Sequence, residues 1–319
     1  MIEIKKKNIY RIDMEYSDFK QIMTPKECEF TGIDLIYAIV TCGVLAKLKE
    51  QDKEFKYKKY AIECQLKENG GQLYLSDEYK NFDPSEKVCL SYYRGMIFGR
   101  LIAYKCFGME YFVHMKNFIK KYPNAIGRKN GTAKKQQCPD IVGWNKQQQY
   151  FIWECKGYFQ GLKKGKTQAQ AVANINNNKV NGNFVSAVYA KGTNQNICGH
   201  VKDPEVEGKN LELDINFALQ NYYEPIVELI KCSEEHSKID GMEMGKVEVG
   251  SETYWFGLPS EIFQFFDEKL PNNMKGSLKD IVMECAEKQF EDTEKGKKKK
   301  LHSDYMYSDY MYSDCIYIK

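Results

Sequence analysis

Two carboxylates and one ammonium carry the strongest chemical signal in this chain. Asp140 lies in Pro139-Asp140, and Glu154 and Lys156 lie in Glu154-Cys155-Lys156-Gly157. Between them the polar run Asn145-Lys146-Gln147-Gln148-Gln149 separates two apolar stretches and reads as the turn of a hairpin. A turn centred on Gln147 pairs Trp144 with Tyr150. Continued antiparallel pairing then sets Asp140 opposite Glu154, with Cβ atoms about 5 Å apart. Side chains alternate along a strand, so Lys156 projects on the same side as Glu154. Like charges this close are destabilising unless a cation bridges them, and hard oxygen ligands suit Mg²⁺ or Mn²⁺. Such an ion lowers the pKa of a bound water and polarises a phosphate, while an ammonium stabilises the charge that develops; together these groups suit phosphodiester hydrolysis. The plain alternative is a solvated acid pair with Lys156 as its salt-bridge partner.

The surroundings favour the chemical reading. From Lys116 to Lys202 the chain holds fifteen Lys and Arg against two acids, Asp140 and Glu154 themselves. The other 42 of the 44 acids lie elsewhere, and the whole chain is only +3. A stretch stripped of carboxylates is suited to a polyanion. The basic residues expected to grip phosphates are Lys120, Lys121, Arg128, Lys129, Lys134 and Lys135 on one side, and Lys163, Lys164 and Lys166, in a predicted loop, on the other.

The elements that must position these groups follow from periodicity and punctuation. Asp83-Pro84-Ser85-Glu86 is a helix start, with a cap, a proline at the first position and an acid in the first turn. It opens a helix from Ser85 to Lys105, in which Gly95 and Gly99 permit close packing on a sheet. Strands are predicted over Met109 to Met115, Pro139 to Trp144, Tyr150 to Lys156 and Phe184 to Ala190. A helix is predicted over Thr167 to Asn176. The order is helix, three strands, helix, strand.

On those residues the chain resembles the PD-(D/E)xK superfamily of restriction-endonuclease-like nucleases. Pro139-Asp140, thirteen residues, then Glu154-Cys155-Lys156 is similar to its signature, and the element order is similar to its αβββαβ core. The resemblance implies an α/β fold with a mixed central sheet flanked by helices; outside that core, periodicity predicts mostly helical N- and C-terminal additions. It implies a Mg²⁺ (or Mn²⁺) ion held by Asp140, Glu154 and the backbone carbonyl of Cys155, with Lys156 near the attacking water. Many members add a glutamine on the helix after the ExK strand. Gln168 and Gln170 are the candidates, and Gln168 is preferred because it shares a helical face with Val172 and Ile175. Many also add an acid from the first helix of the core; here only Glu86, or Glu110 on the first strand, offers one.

The expected activity is that of a metal-dependent endonuclease, restriction-like or defence-type, with DNA preferred to RNA as partner. The rival is a catalytically inactive module that keeps the fold and binds nucleic acid. Composition divides the chain into residues 1–80, of unassigned role; 81–202, the nuclease-like core; 203–290, acidic and mostly helical; and 291–319, a low-complexity tail expected to be disordered, in which Ser303-Asp-Tyr-Met-Tyr recurs. No apolar run is long enough to span a bilayer, and no secretory leader is seen. Eleven scattered cysteines with no CxxC, and only four histidines, argue against a zinc cluster and for reduced thiols in a cytoplasmic protein. A homo-oligomer is left open.

Overall fold

The structure, a computed structural model, describes residues 1–19, 25–42, 50–116, 118, 138–205, 208–266, 276–294 and 311–319. The chain divides into two compact units: Met1–Ala46 with Tyr57–Asp214, and Lys47–Lys56 with Ile215–Lys319.

The first unit is a curled mixed sheet flanked by helices. Its elements run β1 (Ile9–Ser17), β2 (Glu27–Thr31), α1 (Gly32–Thr41), α2 (Gln51–Glu63, whose first residues belong to the second unit), β3 (Leu66–Asn69), β4 (Gln72–Leu75) and α3 (Pro84–Phe107). They continue with β5 (Tyr111–His114), β6 (Ile141–Trp144), β7 (Tyr150–Lys156), α4 (Gly161–Ala169), β8 (Val172–Ile175), β9 (Asn178–Lys179), β10 (Gly182–Lys191), β11 (Asn196–Lys202) and β12 (Lys209–Leu211). The strand order is β2-β1-β4-β11-β10-β7-β6-β5, with β3 on β4. β5, β6 and β7 pair antiparallel, whereas β7 and β10 run parallel. A separate small sheet joins β12, β8 and β9.

α3 forms where its punctuation demands. Asp83 accepts from Ser85 N and Glu86 accepts from Asp83 N at 2.8 Å, closing a capping box, and Gly108 ends the helix in the left-handed region at φ 64°. Its glycines seat it on the sheet. A Cβ on Gly99 would fall 2.7 Å from Cys155 Sγ, and one on Gly95 would meet the Lys156–Gly157 peptide. On the opposite face α4 approaches equally closely: a Cβ on Gly165 would fall 2.6 Å from Val185 Cγ1 and 3.1 Å from Glu154 Cγ. β7 therefore turns Cys155 to α3 and Glu154 and Lys156 to α4. The core between these layers is aromatic, with Phe107, Trp153 and Phe184 in mutual ring contact.

The second unit contains α5 (Ile215–Lys231), β13 (Glu235–Ile239), β14 (Met242–Val249), β15 (Glu252–Pro259), α6 (Ser260–Phe265), α7 (Leu278–Glu294) and β16 (Tyr317–Ile318). Its strands form one antiparallel sheet in the order β13-β14-β15-β16.

Several expectations are corrected. The helix after β7 spans Gly161–Ala169, so Lys163 to Lys166 lie on a helix rather than in a loop, and Val172–Ile175 is a strand. Basic side chains masked the helix start, and the apolar stripe read through Val172 belongs to β-branched residues that pair with β9 and β12. Residues 1–80 are no separate region, because β1 pairs with β11 in the sheet that carries β7. The stretch 203–290 is less helical than expected, since 235–259 fold as three strands. Of the expected disordered tail, residues 295–310 lie outside the described residues, but Cys315, Ile316 and Ile318 are fully buried and β16 covers the edge of β15. Among the described residues no helix is long and apolar enough to cross a membrane.

Candidate active site

The site is built at the open end of the β6–β7 hairpin. Asn145 closes the other end: its Oδ1 accepts from Gln149 N at 2.9 Å, its carbonyl accepts from Gln148 N, and Gln148 takes the left-handed conformation at φ 57°. This turn fixes the register as Trp144 with Tyr150 through Ile141 with Trp153, the pairing predicted from the polar run. One position further the ladder ends, and Asp140 N turns to donate to Glu154 Oε2 at 2.8 Å. Asp140 Oδ2 in turn accepts from Cys155 N at 3.1 Å. The two acids are laced together through their own backbones.

Lys156 completes the cluster. Its Nζ pairs closely with Glu154 Oε1 and lies 3.8 Å from Asp140 Oδ2. It also donates to Gln168 Oε1 at 3.3 Å, and Gln168 Nε2 donates to the Cys138 carbonyl at 3.2 Å. Gln168 stands on the last turn of α4 and thus ties that helix to the ammonium and to the chain entering β6. The preference for Gln168 over Gln170 agrees with this placement, but its reason does not, since Val172 and Ile175 lie on β8. The Gln170 side chain donates instead to the Glu205 carbonyl.

The electrostatics follow from burial. Glu154 has no exposed surface, and burial, then the charge of Asp140, push its carboxyl up from 4.5 to about 8 against the opposing pull of Lys156. Burial pulls the Lys156 ammonium down, but Glu154 and Asp140 outweigh it and its pKa rises. The lysine is a held cation, not a base. His114 nearby is brought down to about 4 by burial; it is neutral at physiological pH and accepts from Lys116 N through Nδ1.

No family model, curated protein or solved structure matches this chain.

The donor set therefore has to be tested on its own geometry. Asp140 and Glu154 bring hard oxygens to one point, and burial of Glu154 disfavours its charged form unless a neutralising partner is at hand. Both properties fit a small divalent cation. Among the described residues no group of three or more His, Cys, Asp and Glu side chains gathers there. The two acids considered as a third ligand are engaged elsewhere. Glu86 closes the cap of α3, and Glu110 accepts from Lys146 N at the turn end of the hairpin, away from Asp140. Of the predicted phosphate-gripping residues, Lys163 and Lys164 are exposed on α4 and Lys166 is half-buried. Lys120, Lys121, Arg128, Lys129, Lys134 and Lys135 lie outside the described residues.

Two supporting residues escaped the sequence reading. Gly165 lets α4 lie directly on Glu154. Arg94, almost wholly buried, donates to the Gly157 carbonyl at 2.9 Å, the Val188 carbonyl at 3.2 Å and Gln65 Oε1 at 2.7 Å, pinning the strand just beyond Lys156. A glycine inside a lysine-rich run and an arginine on an amphipathic helix carry no local signal of such roles.

Proposed function

We propose that this protein is a metal-dependent nuclease with a restriction-endonuclease-like core, a restriction-like or defence-type enzyme that hydrolyses phosphodiester bonds in DNA. The observation that carries the reading is the meeting of Asp140, Glu154, Lys156 and Gln168 at the open end of the β6–β7 hairpin, within a stretch otherwise empty of acids. Asp140, Glu154 and the Cys155 carbonyl would hold Mg²⁺ or Mn²⁺, which when bound supplies charge to polarise the phosphate and to acidify water. Lys156, kept protonated by its carboxylate neighbours, offers Nζ–H donors to a non-bridging phosphate oxygen and stabilises the charge gained there. Gln168 positions that ammonium through Oε1 while anchored on Cys138. Burial of Glu154 under α4 keeps bulk water from its carboxylate.

The test is cleavage of plasmid and of single-stranded DNA with Mg²⁺ by the wild type, Asp140→Ala and Lys156→Ala. Loss of cleavage in both variants is expected; equal cleavage by all three proteins overturns the assignment. The close Lys156–Glu154 pair favours the second reading, a nucleic-acid-binding module without turnover, because an internal cation already occupies one carboxylate. Calorimetric titration separates the two: binding of Mn²⁺ that Asp140→Ala abolishes supports the enzyme, and no binding supports the module.

A further inference from the structure

The rim of this site carries aromatic side chains that the core does not use. Tyr92 on α3 is 39% exposed, and Tyr158 and Phe159, which follow Gly157 directly, are 49% and 47% exposed. All three flank the end of β7. The Ser91 carbonyl crowds Gly157 so closely that a Cβ there would come within 1.8 Å, which places the Tyr92 turn of α3 beside the strand end. The Tyr92 phenol has its pKa raised by burial first and then by the charges of Cys42, Asp140 and Cys155, and so lies within electrostatic reach of the site. On the other side Gly161 rests on the aliphatic stem of Lys156, which sets the Tyr158 to Gln160 turn beside that side chain. Phe159 is braced edge-on by Tyr189 and His200, with ring centroids at 5.2 and 5.6 Å. Lys163 and Lys164 follow, exposed and without an ion-pair partner among the described residues.

Half-exposed rings at the mouth of a cation-bearing site are costly to leave in water and suit a ligand that is both flat and anionic. Every nucleobase has a π-face, but in a duplex those faces are covered by neighbouring bases, whereas an unpaired base can stack on a side chain. We propose that Tyr92, Tyr158 and Phe159 form a stacking platform for unpaired nucleobases, so that the substrate is a single-stranded polynucleotide whose phosphates meet Lys163 and Lys164. The platform's role in turnover rests on the nuclease reading; its binding preference does not.

The test uses the full chain with a fluorescent oligonucleotide, single-stranded or annealed to its complement, in a chelator so that nothing is cut. The wild type should bind the single strand at least about tenfold more tightly than the duplex. Tyr92→Ala and Tyr158→Ala should each weaken single-strand binding by about tenfold and leave duplex binding unchanged, whereas Tyr92→Phe and Tyr158→Phe should bind as wild type. The phenylalanine variants keep the ring and guard against a folding artefact. Equal affinity for the two forms, or alanine variants that bind the single strand as well as wild type, overturns the platform. Single-strand preference without Mg²⁺-dependent cleavage keeps the platform and sinks the hydrolase. Cleavage that depends on Asp140, with silent tyrosine variants, does the reverse.

Discussion

Replacing Glu154 by glutamine should make the metal-free protein more stable while removing a ligand of the proposed metal site. Glu154 is fully buried, and its carboxyl is raised from 4.5 in the unfolded chain to about 8 in the folded one. The folded state must therefore hold a proton that the unfolded state releases, and stability falls as pH rises between those values by about 1.4 kcal/mol per pH unit. Below 4.5 both states are protonated and there is no penalty; above 8 the loss is complete and constant. Glutamine has the same shape, can still accept from Asp140 N, and needs no proton, while Lys156 keeps Asp140 as its partner. At neutral pH the gain on Glu154→Gln works out to roughly 3 kcal/mol, vanishing near pH 4.5. Urea denaturation in a chelator, followed by tryptophan fluorescence over that pH range, measures it. Trp144 and Trp153 report on the first unit. Adding Mn²⁺ should then raise the stability of wild type and not of the variant. A variant less stable than wild type at neutral pH, or a difference that does not change with pH, would show that the buried carboxylate is not the liability inferred here.

Three further outcomes are expected. Arg94→Leu leaves the Gly157 and Val188 carbonyls and Gln65 without their buried donor, and should lower stability by about 2–4 kcal/mol in chemical denaturation and reduce any nuclease activity. Gly165→Ala forces α4 off Val185 and Glu154; a loss of roughly 1–3 kcal/mol, with a fall in cleavage rate larger than that of an exposed Lys164→Ala control, checks that contact. Removal of residues 311–319 uncovers the edge of β15 and deletes a buried cluster, so the melting transition of the second unit should drop by several degrees and the truncated chain should self-associate in light scattering.

The features legible from the sequence were those set by local chemistry. Asn145 to Gln149 specified a turn, the turn specified the register, and the register brought Asp140, Glu154 and Lys156 together. Asp83 and Glu86 marked the start of α3 for the same reason. What escaped depends on partners distant in the chain. β8 is a strand because β9 and β12 pair with it, whereas Val172 and Ile175, although β-branched, also stand at the spacing of a helix continuing past Ala169. The last nine residues fold because Tyr222 and Tyr223 bond Asp314 and β15 receives β16, although a repetitive composition argues for disorder. The acidic third ligand sought at Glu86 or Glu110 was excluded by capping and turn contacts that only the fold displays.

The two glycines of α3 constrain a strand they do not belong to. With Gly95 and Gly99 pressed on β7, the face toward that helix has room for the cysteine sulfur and no more, since even one added carbon at Gly99 would overlap it. A slip of β7 by one residue would drive a glutamate or a lysine into that saddle and turn the thiol toward α4 in their place. Position 155 is thereby restricted to small side chains although its own takes no part in the proposed chemistry. The steric fit on one side of the strand enforces the chemical array on the other, so drift should be slowest at residues that never meet a substrate.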